Sequence, residues 1–369
     1  MISVIYAVIA LGVLIFVHEL GHFLVARIAN VKILAFSLGF GKKLLSFKRG
    51  ETEYALSAVP LGGYVKLLGE SPDEQVPEAE IPRSYTHKPP WIKILIGFAG
   101  PFFNIILACL LFFIIFLSGL SVISTKVGSV EKGFPADVAG IKAGDVITSI
   151  DGKQIEEWSE LMDIMAKSDL KPMKFSVRRD GQFFDTMITP REMESTNIFG
   201  EKVTRKIIGI VASNTFLQRK ETLGGAASKA VIQTYTLSEL TVIGIIKLIK
   251  GSISPKNIGG PILILEAAGK QAKEGKRTFA YFVAIISINL AVVNLLPIPI
   301  LDGGHIFFYL IEMVTRRRIS QRVIEISQKV GITVLILIMV LAFSNDLCRL
   351  FPNNQVCKVI YSKRLDSGG

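Results

Sequence analysis

Two histidines and a glutamate near the amino terminus have the spacing of a metal site. The segment reads His18-Glu19-Leu20-Gly21-His22. On a helix, residues four apart share a face, so both imidazoles can bind one metal ion. Glu19 is offset around the helix, where its carboxylate can take a proton from a water that zinc has acidified. The pattern predicts a zinc site with its own proton acceptor. Polar groups that merely lie at a membrane interface are the alternative.

A catalytic zinc site needs a third protein ligand, which the residues after the motif do not supply. Such a site usually has three protein ligands and one open position. Residues 23–50 contain no His, Asp or Glu. The best candidate is distant, at Asp302 in the run Leu301-Asp302-Gly303-Gly304-His305. An ordinary Asp-Gly turn is the alternative for this segment, and His305 is an alternative ligand.

The composition indicates a membrane protein with an aqueous module. Of the 369 residues, 50% are hydrophobic and only 20% are charged, whereas soluble chains carry about 25% charge. The mean hydropathy is +0.47. A wholly soluble enzyme and a disordered scaffold are therefore both disfavoured. The net charge of +11 is compatible with nucleic acid or with basic flanks beside membrane spans. The three cysteines are too few for a disulfide framework.

Four apolar stretches are close to the roughly 20 residues that cross a bilayer. Basic residues cluster after the first stretch, at 27–49, and after the third, at 316–329. Under the positive-inside rule both clusters are cytoplasmic, so we expect contact with membrane lipid and no nucleic-acid partner. Both termini and residues 120–278 are then expected outside. The stretches are 2–25, 94–117, 279–296 and 324–343.

A further apolar stretch, 237–249, has only 13 residues and contains Glu239 and Lys247. It is too short to span, which favours an interfacial amphipathic helix, with a helix packed on the soluble domain as the alternative.

The outward segment has the pattern of a small α/β domain. Short strands are predicted at 127–130 and 145–150, a helix at 157–167, and a hairpin around Asp180-Gly181. The run Gly-Phe-Pro-Ala-Asp-Val-Ala-Gly-Ile-Lys-Ala-Gly-Asp-Val-Ile from Gly133 to Ile147 resembles a bacterial PDZ domain. PDZ domains bind extended peptide ends at a sheet edge, so a peptide C-terminus is an expected partner. A small β-domain without a ligand is the alternative.

Two distant motifs then resemble one family. The His-Glu-Leu-Gly-His segment and the run Asn294-Leu-Leu-Pro-Ile-Pro-Ile-Leu-Asp302-Gly-Gly-His305, with a PDZ-like segment between them, resemble the site-2 protease family and its bacterial RseP-type branch. Gly100-Pro101-Phe102-Phe103-Asn104 and the segment 61–66 also fit. The resemblance implies an intramembrane zinc protease that acts in regulated proteolysis and stress response. Its substrates would be single-pass membrane proteins, such as anti-sigma factors and remnant signal peptides.

The resemblance also implies roles for individual residues. His18, His22 and Asp302 would bind Zn²⁺, with Glu19 as the general base. Asn289 and Asn294 would contact or unwind the substrate, although interhelical hydrogen bonding is an alternative for them. Pro297 and Pro299 would break the third helix, because proline cannot sustain helical hydrogen bonding. Irregular backbone at membrane depth is tolerated only where it lines a cavity, so the break is expected at a site.

The alternating segment 50–70 predicts a β-hairpin. By the resemblance, this hairpin enters the membrane and holds the substrate through Gly62, Gly63 and Tyr64. A plain cytoplasmic hairpin is the alternative. Cys348 and Cys357 can form a short-loop disulfide if their side is oxidising.

The expected fold is a polytopic α-helical membrane protein with four transmembrane helices, one inserted α/β PDZ domain and a membrane-associated β-hairpin. The expected site of action is the bacterial inner membrane, with the PDZ domain periplasmic or extracellular. A membrane-anchored PDZ peptide-binding protein with a non-catalytic metal site is the main alternative. The predicted order is span 1–25, loop and hairpin 26–93, span 94–119, PDZ domain 120–215, linker and interfacial helix 216–278, span 279–304, basic loop 305–323, span 324–344 and outer tail 345–369.

Overall fold

The computed structural model describes residues 2–71, 74–197, 200–351 and 357. The chain divides into two compact units, one formed by residues 1–114 with 227–369 and the other by residues 115–226. The helices are α1 (Ile2–Ile28), α2 (Pro90–Leu117), α3 (Pro135–Val138), α4 (Trp158–Lys167), α5 (Leu223–Ile249), α6 (Pro261–Glu274), α7 (Lys276–Asn294), α8 (Asp302–Thr315) and α9 (Gln321–Leu350).

Among the described residues, five helices are long and apolar enough to cross a membrane by length and composition: α1, α2, α5, α7 and α9. The predicted count of four is therefore not confirmed. The expectation of a 13-residue helix at 237–249 is wrong, because α5 has 27 residues. The helix extends back to Leu223 through a segment that contains Ala226, Ala227 and Ala230, and the side chains of Ala226 and Ala230 are fully buried.

Helices α1 and α7 run in the same direction. Tyr6, near the start of α1, meets Phe279, near the start of α7, with ring centroids 5.3 Å apart. At the other end, Asn294 Nδ2 lies 3.5 Å from His18 Nε2. Between these contacts, Leu14 packs in one apolar cluster with residues of α7. This parallel pairing brings the end of α7 to the His-Glu motif.

The third apolar stretch is interrupted as the prolines predict. Helix α7 ends at Asn294, and α8 begins at Asp302. The connecting segment folds tightly, since Leu301 N–H donates to Ile298 O at 2.8 Å. A Cβ on Gly303 or Gly304 would collide with backbone atoms of this segment. The two glycines therefore let α8 start directly against the break.

The hairpin predicted within 50–70 is not formed by that segment alone, because its two halves both belong to one strand and pair with residues 33–49 instead of with each other. Strands β1 (Ile33–Arg49) and β2 (Thr52–Leu67) are antiparallel. Register shifts along both strands let the same residues of β1 pair with two different parts of β2. Residues 33–38 pair with 63–67 on one side and with 53–56 on the other. The hairpin prediction missed this because it began at residue 50. Phe23 of α1 packs against Phe36 and Tyr54 at the inner end of the strands.

The unit of residues 115–226 contains short antiparallel strands and helices α3 and α4. The predicted strand 127–130 is confirmed, as is a helix at 158–167 with a capping box between Glu157 and Glu160. The strands of this unit are β3 (Leu120–Ile123), β4 (Val127–Val130), β5 (Val146–Ile150), β6 (Lys153–Gln154), β7 (Met173–Arg179), β8 (Gln182–Ile188), β9 (Arg191–Thr196), β10 (Lys202–Ile207), β11 (Ile210–Ala212) and β12 (Phe216–Arg219). The main sheet has the order β6-β5-β7-β8, while β4 pairs with β11, β3 with β12, and β9 with β10.

Asp145 anchors the turn before β5. Arg179 donates to its two carboxylate oxygens at 2.7 and 2.8 Å, and Lys142 N–H donates at 2.7 Å. Burial by itself raises the pKa of this carboxyl, but the hydrogen bonds from Arg179 and Lys142 outweigh burial and hold the pKa below its usual value. The Gly-Asp turn of the PDZ-like run is thereby fixed to strand β7.

Candidate metal centre

Three side chains from distant parts of the chain meet at one point. One ligand atom from each of His18, His22 and Asp302 lies within 4.8 Å of the other two. The two Nε2 atoms are 3.3 Å apart, and Asp302 oxygens lie 3.2 Å from His18 Nε2 and 3.6 Å from His22 Nε2. Helical periodicity brings the two histidines together, and the break before α8 brings Asp302 to them.

The donor set fits a zinc ion. Two imidazole nitrogens and a carboxylate oxygen are ligands that catalytic zinc uses, with one position left open. Asp302 Oδ2 is buried and accepts no hydrogen bond from the described residues. The oxygen faces His18 Nε2 at 3.2 Å, and leaving it unsatisfied costs free energy unless a cation or a donor lies between them. His305, the alternative ligand, lines the same cavity but is not a member of the three-residue group found among the described residues.

Helix α2 orients both histidines. His22 Nδ1 lies 2.7 Å from Ile96 O, and a carbonyl can only accept, so Nδ1 carries the proton and Nε2 has a free lone pair. His18 Nδ1 lies 3.2 Å from Asn104 Nδ2, and Asn104 has no exposed surface. Asn104 Oδ1 is buried and has no hydrogen-bond partner among the described residues. Exchanging the amide oxygen and nitrogen would let this oxygen accept the Nδ1 proton of His18, which would leave His18 Nε2 free for a metal ion.

Close approach of α2 to α1 depends on two glycines. A Cβ on Gly21 would overlap the Ala99 peptide group, with its carbonyl carbon at 2.8 Å. A Cβ on Gly100 would overlap His22 Nε2 and come within 2.8 Å of His18 Cε1. Gly100 therefore reserves the space in which the two imidazoles stand side by side.

Replacing Gly100 by Ala is expected to lower zinc affinity by at least about tenfold, because both histidines must move from their shared point. The matched control is Gly97→Ala on the same helix, whose added Cβ would meet only the flexible side chain of Ile306 at 3.1 Å. Competition between the purified variants and a fluorescent zinc chelator measures the difference. Equal zinc affinity for the two variants would contradict the role of Gly100.

Glu19 lies beside the three-residue group in a cavity of about 610 Å³. A Cβ on Gly63 would come within 2.8 Å of Glu19 Cγ, so the strand segment 63–67 passes directly against the glutamate. Tyr64 lines the same cavity and stacks on Phe40. Gly62 has a φ of 114°, a backbone conformation that favours glycine, and it packs against the Phe40 ring.

The two asparagines lie in different surroundings. Asn294 Nδ2 lies near His18 Nε2, at the edge of the three-residue group. Asn289 Oδ1 instead accepts a hydrogen bond from Thr241 Oγ1 of α5 at 2.9 Å. The structure thus brings Asn294 to the site and pairs Asn289 with a neighbouring helix. Pro297 and Pro299 lie in the break between α7 and α8.

Comparison with known proteins places the chain in a family. The sequence model described as "Peptidase family M50" matches residues 6–338. The chain belongs to peptidase family M50. The resemblance to the site-2 protease family is confirmed at this level. The finer assignment to the RseP-type branch is not tested by the match.

Relatives match over nearly their whole length, and each of the following is named "Putative zinc metalloprotease". A Campylobacter jejuni protein is 39% identical over 345 residues, covering 93% of this chain and 92% of its own. One from Clostridium acetobutylicum is 33% identical, covering 95% and 98%. One from Mesorhizobium japonicum is 34% identical, covering 91% and 96%. Among solved structures, a PDZ domain of an SdrC-like protein from Listeria monocytogenes matches with a TM-score of 0.20 and 22% identity, covering 25% of this chain and 88% of its own.

Two contributors to the site in this M50 family member gave no clear signal in the sequence. The Ile96 carbonyl is a backbone group, which residue type does not reveal. Asn104 belongs to the Gly-Pro-Phe-Phe-Asn segment, but its distance from His18, 86 positions away, becomes short only in the folded bundle. A polar residue inside a membrane-length apolar stretch is the one signal that could have pointed to it.

Proposed function

We propose that the chain is a zinc-dependent intramembrane endopeptidase that cleaves transmembrane segments of single-pass membrane proteins. One observation carries the proposal. His18 and His22 lie with Glu19 on a helix of membrane length, and Asp302 joins them from the start of α8, directly after the break that follows α7. Membership of peptidase family M50 and the names of the relatives support the reaction and the metal.

His18, His22 and Asp302 would hold the zinc ion. Ile96 keeps His22 in the required tautomer, and Asn104 would do the same for His18 with its amide oxygen turned towards Nδ1. Zinc, when bound, supplies a Lewis acid that polarises a carbonyl and lowers the pKa of water. Glu19 takes the proton from the attacking water and delivers it to the leaving amine. Asn294, whose amide lies beside His18, would donate a hydrogen bond to the substrate backbone.

The parallel pairing of α1 and α7 supports four membrane crossings. If α1 and α2 both cross, the chain is back on its starting side before residues 120–222. A crossing by α5 would then start α7 on the opposite side and make it antiparallel to α1. The observed contacts of Tyr6 with Phe279 and of His18 with Asn294 are those of parallel helices. We therefore assign the four crossings to α1, α2, α7 and α9, and place α5 along the membrane on the outer side.

This assignment agrees with the charge distribution. It puts the basic clusters 27–49 and 316–329 on the cytoplasmic side, as the positive-inside rule requires. The unit of residues 115–226 is then periplasmic or extracellular. In a bacterium, the chain would lie in the inner membrane.

The strand segment 63–67 is suited to hold a substrate in extended form. It pairs with residues 33–38 on one side only among the described residues, and Gly63 touches Glu19. A peptide bond inside a helix is shielded, whereas a chain added to this strand edge presents its carbonyl groups. Substrates whose helices unwind readily, such as remnant signal peptides and trimmed anti-sigma factors, fit this requirement.

The outer unit would select substrates. As a PDZ domain it would bind a peptide C-terminus by strand addition, and a single such domain acts either as a ligand-gated activator or as a steric filter against bulky outer domains. The chain is long enough for one domain of this kind between α2 and α5.

Incubation of the purified full chain in detergent with a single-pass test helix tests the proposal. We expect cleavage within the helix, and we expect a zinc chelator to abolish it and added zinc to restore it. Peptide binding at the outer unit without any hydrolysis would instead establish the alternative, a membrane-anchored binding protein with a non-catalytic metal site.

A further inference from the structure

A strongly basic cleft lies between the residues that precede α2 and the connection from α8 to α9. Its volume is about 400 Å³. Among the described residues, the acidic side chain that lines it is Glu312, and Glu312 Oε1 already accepts a hydrogen bond from Ile319 N–H at 3.0 Å. The basic residues that line it are Lys88, Lys93, Arg316, Arg317 and Arg318. Topology alone accounts for basic residues in this loop, but not for their convergence on one cleft.

Lys93 is the residue that most needs an anion. Only 8% of its surface is exposed. Its ammonium lies 5.7 Å from the ring centre of Tyr85 and 5.2 Å from that of Tyr309, and no carboxylate within the described part of the chain forms an ion pair with it. Aromatic faces offset only part of the cost of removing an ammonium from water. Glu312 attracts this ammonium from across the cleft but forms no ion pair with it. A buried cation without an ion-pair partner, in a cleft where basic residues outnumber the one acid, points to an anionic ligand.

The cleft lies at the ends of two helices, which indicates its level relative to the membrane surface. Helix α2 begins at Pro90, so its first N–H groups and its positive dipole end lie beside Lys93. Helix α8 ends at Thr315. The next residue, Arg316, has a left-handed backbone with a φ of 55° and starts the turn through Arg317 and Arg318. Trp91 is 55% exposed on the first turn of α2. Exposed tryptophan at a helix end is typical of the level of lipid headgroups.

We propose that this cleft binds the phosphate headgroup of an anionic phospholipid from the cytoplasmic leaflet. Basic pockets between helices on the cytoplasmic side are suited to such headgroups. A lipid fits better than free phosphate because the cleft lies at helix ends beside an exposed tryptophan. The proposal rests on the membrane orientation proposed above and does not depend on proteolysis. Because Lys93 and Arg318 also line the cavity of the metal centre, a bound headgroup would alter the charge at the entrance to that cavity.

Native mass spectrometry of the full chain in a non-ionic detergent tests the assignment. The delipidated protein is titrated with phosphatidylglycerol, phosphatidylcholine of the same acyl chains, or inorganic phosphate. We expect phosphatidylglycerol to bind at least roughly fivefold more tightly than phosphatidylcholine. The double variant Arg316→Gln/Arg317→Gln should lose roughly tenfold or more of that affinity, and Lys93→Met should also weaken it.

The matched control is Arg322→Gln/Lys329→Gln, which removes two charges from α9 outside the cleft and should keep the wild-type affinity. Equal binding of the two lipids, or equal losses in the cleft and control variants, would overturn the proposal. Displacement of the lipid by equimolar inorganic phosphate would reassign the cleft to free phosphate, and displacement by an acidic peptide would reassign it to a substrate segment. In a Glu19→Gln background lipid binding should be unchanged, so failure of the protease proposal and failure of the lipid proposal give different results.

Discussion

In the Glu19→Gln variant, cleavage of a single-pass test helix is expected to fall by roughly two to four orders of magnitude, with the zinc content unchanged. The size of the effect is that of losing a positioned general base. Glutamine has the shape of glutamate but cannot accept the proton. Because Glu19 is not one of the three grouped side chains, the substitution leaves His18, His22 and Asp302 in place.

Cleavage rates and zinc stoichiometry measured on the same purified preparation provide the test. Glu239→Gln is the matched control, since it removes a carboxylate from α5 that does not line the cavity of the metal centre. The control should cleave like the wild type. Cleavage by Glu19→Gln at a rate close to that of the wild type would refute the assignment of the proton acceptor.

In the Asp302→Asn variant, zinc content and cleavage are expected to fall together. An amide oxygen is neutral and a weaker zinc ligand than a carboxylate. The loss should exceed the 10–100-fold that typically follows removal of an outer hydrogen-bonding partner. The two histidines alone leave zinc with too few protein ligands for a stable catalytic site.

The matched substitution His305→Asn distinguishes the two candidates for the third ligand. His305 is in the same first turn of α8 as Asp302, so the comparison holds the local structure constant. Metal analysis after dialysis should show zinc retained in His305→Asn and lost in Asp302→Asn. The reverse result would make His305 the ligand.

Some features of this protein were predictable because they depend on local periodicity. A spacing of four residues puts His18 and His22 on one helix face in any context. The prolines at 297 and 299 predicted the break before α8, because proline cannot sustain helical hydrogen bonding. The strand 127–130 and the helix of α4 were likewise predictable from local turn and hydrophobic patterns.

Pairings at long range were only partly accessible. Asp302 could be proposed as a partner of the histidines from equal membrane depth and from the family resemblance, not from spacing. Cys348 and Cys357 do form a disulfide, with Cα atoms 5.3 Å apart, as the short loop allowed. The apolar stretch 237–249 marks only the second half of α5, because the first half mixes polar and apolar residues and its helix is supported by buried contacts such as those of Ala226 and Ala230.

The sequence by itself determined that a metal-binding pair and a glutamate lie on one membrane-length helix, and that a distant Asp-Gly turn follows a helix break. The tertiary structure alone decided which atoms meet. Gly100 makes room for the imidazoles, Asn104 and Ile96 orient them, and the strand edge at Gly63 lies against Glu19. Asn289 joins α5 rather than the metal centre. These contacts join helices and strands that are distant in sequence. The position of each helix along its neighbours and its rotation about its own axis depend on packing between several segments, so no single segment predicts them.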